Sequence, residues 1–510
     1  MPRTPSLYST DSQVDPISQV MRAGHALESP DQRRLRLEHE AEAKRVSEQI
    51  DEELRQEREK LRRSRGDVKL LLLGQAESGK STLQKQFQLM YKPNSIEQER
   101  SSWRTVIYFN VVHSLKHILT TLEAWDDSFD DAQPSGYYDQ SPSSSNLSHG
   151  VPPVPPVPSG MSRAPSRPES PALSGSSRSN RITYLRNRLS PLLDTDSHLA
   201  DRLSGGITVS GSGKGGVFVR SGWQARTIEK ALGKPWGKNA NEVDYRRGRE
   251  GHMPDDDGDI LLQEVGRMLS ALKEDIRELW AHPTVKGLIM KRKLKLDEWS
   301  EFFLKDITRI AAPEYIPTTD DILHARIQTM GVAEHIFDVD LHGKSVTWHL
   351  FDVGGARGQR HSWIPYFDTA NAIIFVAPVS AFDQYLEEDP RTNRIDDSLQ
   401  LFTQVCSNAL LKSVHLVLFL NKTDLLKAKL DNGLKVQKYI TSFGDRTNDY
   451  ETVVQYFRAH FLQVHRRNNE NRRVLYTHFT SCVDTKATQR IIGNVRDSIF
   501  RGYLQSAALV

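Results

Sequence analysis

The run Val68-Lys69-Leu70-Leu71-Leu72-Leu73 leads straight into Gly74-Gln75-Ala76-Glu77-Ser78-Gly79-Lys80-Ser81-Thr82, and no other stretch of the chain constrains its fold so tightly. The spacing G-x-x-x-x-G-K-S needs a buried strand before it and a helix after it. Leu83, Phe87 and Met90 supply the helical period that follows. Glycines let backbone N–H groups approach phosphate oxygens, Lys80 adds a fixed positive charge, and Ser81 offers a hydroxyl to Mg²⁺. A chance Gly-rich turn is the competing reading, and the flanking strand and helix weigh against it. The segment predicts a nucleoside triphosphate held by Glu77, Ser78, Gly79, Lys80, Ser81 and Thr82.

Further short apolar runs occur at Val346–Phe351, Ala372–Val376, Val414–Leu420 and Val474–Phe479. They alternate little, as strands buried on both faces of a parallel sheet do. Helical patterns separate most of them, including Asp397–Leu411 and Tyr450–Arg466, and a last helix carries Ile492, Val495, Ile499 and Tyr503 on one face. The alternation predicts an α/β fold with a doubly wound sheet.

About 270 residues separate the first two of these strands, far more than one crossover needs. Helical spacing runs through Glu97–Trp125, Ile182–Leu193, Ile260–Trp280 and Leu294–Ile310, predicting an inserted all-α domain. Ser141–Asn180, Ser204–Gly216 and Lys238–Asp257 are Ser/Pro/Gly-rich or polar and read as disordered insertions. The Pro-rich piece Val151–Pro158 could dock an aromatic groove, with a plain linker as the default. At the other end, Gln32–Arg65 contains no Gly or Pro and reads as a charged helix with a thin stripe of Val46, Ile50 and Leu54.

Charge and composition narrow the function classes. The 68 basic and 65 acidic residues of the 510 leave a net charge of +3, which makes no case for nucleic acid. Two cysteines, Cys406 and Cys482, cannot build a disulfide framework, so a reducing interior is expected. No apolar run approaches the ~18 residues of a membrane span. Met1-Pro2-Arg3-Thr4-Pro5 shows no secretory core and no Gly at position 2.

Leu418-Phe419-Leu420-Asn421-Lys422-Thr423-Asp424 ends another strand in N-K-x-D. A carboxylate at Asp424 can accept from both donors on the guanine edge, a pair that adenine lacks. The Lys422 stem can cover the base while Asn421 braces the loops. Asp352-Val353-Gly354-Gly355 follows Val346–Phe351; Asp352 suits Mg²⁺ held through water, and the Gly355 amide a γ-phosphate. Upstream, Asp321-Ile322-Leu323-His324-Ala325-Arg326-Ile327-Gln328-Thr329 sets an Arg and a Thr three residues apart. Thr329 can complete a Mg²⁺ shell, and Arg326 can neutralise a transferring phosphoryl group, unless it serves only as a surface ion pair.

Taken in order, these blocks resemble the α subunits of heterotrimeric G proteins, of the fungal type with a long insertion in the helical domain. His478-Phe479-Thr480, Trp103-Arg104 and Phe218-Val219-Arg220-Ser221-Gly222-Trp223-Gln224 add to the likeness. The resemblance implies a Ras-like GTPase domain over 66–94 and 319–510, with a helical domain over 95–318 carrying insertions at about 131–180 and 204–257. Residues 1–31 remain a disordered N-terminus, and 32–65 become the helix that docks a βγ dimer together with switch II, the segment around Asp352 ordered by the γ-phosphate. It further implies GTP/GDP and Mg²⁺ as cofactors. Ser81, Thr329 and Asp352 are then the metal residues; Leu323, Gly355, Asn421, Lys422, Asp424 and Cys482 join the nucleotide site, the last through a backbone amide to guanine. Glu77 is expected to pair with Arg326 across the two domains. The C-terminal helix would be read by a seven-helix receptor, an effector would remain unknown, and the protein would reach the cytoplasmic face of the plasma membrane through its partners.

The chain departs from that family where hydrolysis is concerned. Ala356 stands where a Gln orients the attacking water, and Ala76 where the P-loop usually has Gly. Thr480-Ser481-Cys482-Val483 replaces Thr-Cys-Ala-Thr, and Ala507 sits where some members carry a Cys. A weak GTPase is the leading expectation. A GTP-binding scaffold that never turns over is the alternative, and a P-loop ATPase or kinase is disfavoured by Asn421–Asp424.

Overall fold

Strand β1, Val68–Leu73, is fully buried along most of its length because Leu70 to Leu73 face helices on both sides of the sheet. The computed structural model describes residues 29–63, 67–130, 175–205, 217–219, 223, 257–341, 344–469 and 473–506. Most of the expected disordered insertions, the N-terminus to residue 28 and the tail 507–510, including Ala507, lie outside these residues.

The chain divides into two units, Met1–Asp67 and Val68–Val510. In the first, a helix runs Pro30–Arg63, starting inside the stretch expected to be disordered. Proline is tolerated at its first turn, and Asp31 beside it favours the helix start. Surface pairs such as Arg34–Glu38 and Arg45–Glu42 each add only a few tenths of a kcal/mol, about 0.2–0.5. Leu35, Leu37, Val46 and Ile50 are about half exposed on it.

The second unit is built on a six-stranded sheet of order β4-β5-β1-β6-β7-β8, with β4 Val332–Leu341, β5 Lys344–Val353, β6 Ala372–Pro378, β7 His415–Asn421 and β8 Leu475–Thr480. All neighbours run parallel except β4 and β5. A separate parallel pair joins Phe218–Val219 (β2) to Gln328–Thr329 (β3). The expected apolar runs each fall inside a strand to within a residue. The edge strand β4 was not foreseen, since its Phe337 and Val339 alternate with Glu334, Asp338 and Asp340. That alternation is what an antiparallel strand with one wet face requires. β8 is likewise only half-buried up to Thr480, rather than covered on both faces.

Between β1 and β4 the helices build a core of their own. Trp103–Asp130 contributes Val106, Val111, Val112, Leu115 and Ile118, and Gly175–Leu193, Thr195–Ser204, Asp257–Ala281, Pro283–Met290 and Glu298–Lys305 pack around it. Two helices differ from expectation. Glu97–Trp125 is split into Pro93–Glu99 and Trp103–Asp130, because the Ser102 hydroxyl and N–H both bond Glu99 O. Leu294–Ile310 starts only at Glu298 and breaks at Asp306, after Arg292 at φ +57° turns the chain. Gly175 and Asp257 also begin helices inside stretches expected to be disordered. Asp397–Leu411 instead starts at Arg394, capped by Asn393, and ends at Ser407.

The sheet places its carboxyl ends side by side. Leu72 aligns with Asp352, Leu73 with Phe375, Pro378 with Asn421, and Asn421 with Thr480. In an open α/β sheet the crevice beyond those ends is where ligands bind.

Candidate functional site

The loop after β1 makes a tight left-handed passage, with Gly74 at φ +143°, Glu77 at +59° and Gly79 at +102°. Gly74 and Gly79 are not interchangeable with Ala: a methyl at Gly74 would overlap Val376 O and one at Gly79 the Asn421 amide. Ser78 Oγ, buried in the loop, has no hydrogen-bond partner among the described residues. Helix Lys80–Tyr91 starts at the loop's end. Lys80 is buried and donates to Gly74 O at 3.0 Å and Gln75 O at 2.7 Å. Burial pushes its ammonium down to about 8 despite the nearby Asp352.

Three oxygens meet beside it. Ser81 Oγ lies 2.7 Å from Asp352 Oδ2 and 3.1 Å from Thr329 Oγ1, and Thr329 Oγ1 is 3.0 Å from Asp352 Oδ2. Asp352 Oδ1 is buried with no hydrogen-bond partner among the described residues. Two hydroxyls and a carboxylate whose second oxygen is uncommitted form a hard oxygen donor set, which suits Mg²⁺ and no soft metal.

The sequence could not show how Arg326 is held. Its guanidinium pairs with Glu77 and reaches Asp297 at 2.9 Å. Its backbone is clasped by Asn110, whose Oδ1 accepts from Arg326 N at 2.9 Å and whose Nδ2 donates to Arg326 O at 3.1 Å. Burial alone would raise the Glu77 carboxyl, but Arg326, Arg394 and Lys422 hold it down at about 2. Leu323 is buried just upstream, in Thr319–His324.

At the opposite wall Asn421 is buried and ties three loops. It donates to Ser78 O at 2.8 Å and accepts from Thr480 Oγ1 at 3.0 Å and from Cys482 N at 3.1 Å. The Cys482 amide, expected at the guanine, is thus directed to Asn421, and its thiol is pushed up to about 12 by burial. Lys422 sits at φ +66° and pairs with Glu298, while Asp424 is exposed on the first turn of Thr423–Asp431. Gly355 lies against the P-loop, where a methyl would overlap Gln75 and Ala76.

One cavity of about 1550 Å³ collects these groups: Lys80, Ser81, Thr82, Arg326, Thr329, Gly355, Lys422, Asp424 and Cys482 all line it. Asp352 stands behind its wall through Ser81 and Thr329. Sequence reading missed Asn110, Asp297, Glu298, Gln359 and Arg394. Arg394 donates to Ala76 O at 2.6 Å, Glu77 Oε2 at 2.9 Å and Gln75 Oε1 at 2.9 Å. Only its place at a helix start after Asn393 could have flagged it, and such arginines are common.

Residues 44–499 match the G-protein alpha subunit family. The chain is 31% identical to guanine nucleotide-binding protein alpha-4 subunit of Mycosarcoma maydis, over 98% of this chain and 96% of that one. It is 34% identical to the alpha-17 subunits of Caenorhabditis briggsae and Caenorhabditis elegans, over 50% and 49% of this chain and 68% and 70% of theirs. Among the described residues no helix is long and apolar enough to cross a membrane. The chain belongs to the G-protein alpha subunit family and is a guanine-nucleotide-binding signalling switch of the heterotrimeric class.

Proposed function

We propose that the cavity holds GTP or GDP together with Mg²⁺ and that the chain hydrolyses GTP slowly. The observation that carries this reading is the meeting of Ser81 Oγ, Thr329 Oγ1 and Asp352 Oδ2 within 2.7–3.1 Å beside the buried Lys80. Ser81 and Thr329 would hold the ion, with Asp352 behind them. When bound, Mg²⁺ supplies charge neutralisation on the β- and γ-phosphate oxygens. Lys80 turns from its two carbonyls toward phosphate, and residues Glu77 to Thr82, which line the same cavity, would offer their amides to it. Arg326, freed in part from Glu77 and Asp297, stabilises charge on the transferring phosphoryl group. Asp424 selects guanine, and Lys422, steadied by Glu298, covers the base.

Ala356 and Ala76 motivate the low rate. A methyl at 356 carries no group to orient water, and the Ala76 methyl would crowd the space beside the γ-phosphate. A scaffold that binds GTP without turnover is the second reading, favoured by the same two residues. The helix Pro30–Arg63 and the segment Arg357–Tyr366 are the surfaces for a βγ dimer. Thr485–Ser506 is the surface for a seven-helix receptor, with the effector of unstated kind, and attachment to the membrane would be peripheral, through these partners.

Single-turnover phosphate release from preloaded GTP tests the reading. The expected rate lies below the ~10⁻² s⁻¹ typical when the arginine is in cis, and Ala356→Gln should raise it. An ordinary rate in the unaltered chain, or no change in Ala356→Gln, overturns the slow-hydrolase reading. No detectable phosphate in the unaltered chain selects the scaffold.

A further inference from the structure

One polar group at the cavity is left without a task. The segment Arg357–Tyr366 forms a 3₁₀ helix, started by the Gln359 N–H donating to Ala356 O at 2.9 Å. That bond places the Gln359 side chain one turn beyond the methyl of Ala356, and it folds back over the Asp352–Gly355 loop. A methyl at Gly354 would overlap the Gln359 carboxamide and come within 3.0 Å of Thr329 O. The carboxamide therefore fills the space that the absent Cβ of Gly354 leaves open, next to the backbone of the proposed metal residue Thr329. Its Oε1 is buried and has no hydrogen-bond partner among the described residues. A buried amide oxygen normally has a hydrogen-bond partner, so a water or ligand is expected there.

The neighbours are already committed. Arg360 pairs with Asp397 at 2.6 Å, Arg394 engages Gln75, Glu77 and Gln384, and Arg326 occupies Glu77 and Asp297. The segment is also pinned: Trp363 Nε1 donates to Gly354 O at 2.8 Å and Ser362 Oγ to Gln359 O at 2.7 Å. A carboxamide on a pinned helix that lines the cavity, its unsatisfied oxygen packed on Gly354 near Thr329 O, can turn about its terminal torsion to present that oxygen to one water molecule.

We propose that Gln359 is the water-positioning residue of this chain, making from three residues away, and less effectively than a Gln at position 356 would, the contact that Ala356 cannot make. The inference rests on the GTPase reading above. Water adds its oxygen to the γ-phosphorus as the bond to the β–γ bridging oxygen breaks, and that electron pair leaves on GDP. One water proton stays on the inorganic phosphate and the other passes to solvent. Gln359 Oε1 only accepts a hydrogen bond from the water and is unchanged.

The test measures single-turnover GTP hydrolysis and equilibrium binding of a fluorescent, non-hydrolysable GTP analogue. The full-length chain is compared with Gln359→Leu, Gln359→Ala and the double variant Gln359→Ala/Ala356→Gln. Gln359→Leu should slow hydrolysis on the order of tenfold to a hundredfold, with analogue affinity within about twofold. The double variant should recover hydrolysis, because it returns a carboxamide to the loop from the neighbouring position. Rates unchanged in Gln359→Leu and Gln359→Ala overturn the proposal while leaving the GTPase reading intact. Parallel losses of affinity and rate, without recovery in the double variant, also overturn it, since they mark a structural role. An unaltered chain that releases no phosphate at all overturns both.

Discussion

Asn421 donates a hydrogen bond to the carbonyl of Ser78 at 2.8 Å, across 343 residues of sequence. The same side chain accepts from Thr480 Oγ1 and Cys482 N, so one amide holds the loops after β1, β7 and β8 in fixed relation. Asn421→Ala leaves Ser78 O and the Cys482 N–H unpaired in a buried site. The variant should lose about 2–4 kcal/mol of stability. Thermal unfolding with GDP present should fall by at least several degrees, and an unchanged midpoint would show that water replaces the amide without cost.

Arg394 stitches the P-loop to the helix Arg394–Ser407 through Ala76 O, Glu77 and Gln75. Arg394→Ala should loosen that loop and speed GDP dissociation by about tenfold or more, as loss of a buried charge-assisted network does. Arg394→Lys should restore little, because one ammonium cannot reach partners arranged for a planar fork. Stopped-flow release of a fluorescent GDP reads both, and a wild-type rate in Arg394→Ala would remove Arg394 from the site.

Asp321 is fully buried and accepts from both Arg309 nitrogens at 2.7 Å, from Tyr315 OH at 3.0 Å and from Thr318 N at 2.8 Å. Burial would raise its carboxyl, yet Arg309 and Thr318 hold it below the ordinary value, so its charge stabilises the fold above about pH 4. Asp321→Asn should cost about 2–3 kcal/mol, less than a fully buried pair because the Arg309 side chain is 39% exposed. The difference should begin to shrink as pH falls through 4, where the unfolded carboxyl takes up its proton, and disappear only at lower pH, where the native carboxylate does too. Denaturant melts at pH 7 and pH 3.5 that gave one constant difference would contradict this.

Lys80 titrates at about 8 in the folded chain and at about 10.5 when unfolded. Between those values the native state binds fewer protons, so this group makes the empty protein more stable as pH rises from 8 toward 10.5. A phosphate beside Lys80 favours its charged form, so nucleotide binding takes up a proton above pH 8. Affinity for GDP should therefore be flat near pH 7 and weaken by up to about tenfold per unit between pH 8 and 9. Titration with a fluorescent GDP across that range checks it; a flat profile would mean that Lys80 stays charged in the empty site.

Much of this was legible in the chain itself. The run Val68–Leu73 could only be a buried strand, and G-x-x-x-x-G-K-S after it could only serve as a loop that opens a helix. The other buried parallel strands were equally clear, because continuous apolar runs bounded by polar turns have few alternatives. The edge strand β4 was hidden, since its alternating Glu334, Phe337, Asp338 and Val339 reads as amphipathic surface until a neighbour pairs with it. Helix ends were misplaced where one hydroxyl, Ser102, competed with the backbone, a choice of a few tenths of a kcal/mol that pattern cannot resolve.

Residue type and spacing determined the chemistry on offer: a lysine, two hydroxyls, an arginine and the Asp424 carboxylate, each at the end of a recognisable element. Tertiary structure decided which of them act together and what restrains them. Asn110 and Asp297 hold Arg326, Glu298 holds Lys422, Arg394 holds the P-loop, and Gln359 lies against Gly354, all through contacts between segments far apart in sequence or folded back on themselves. Such contacts leave no local periodicity, because a hydrogen bond between distant loops depends on where the sheet ends its strands and on nothing nearby in the chain.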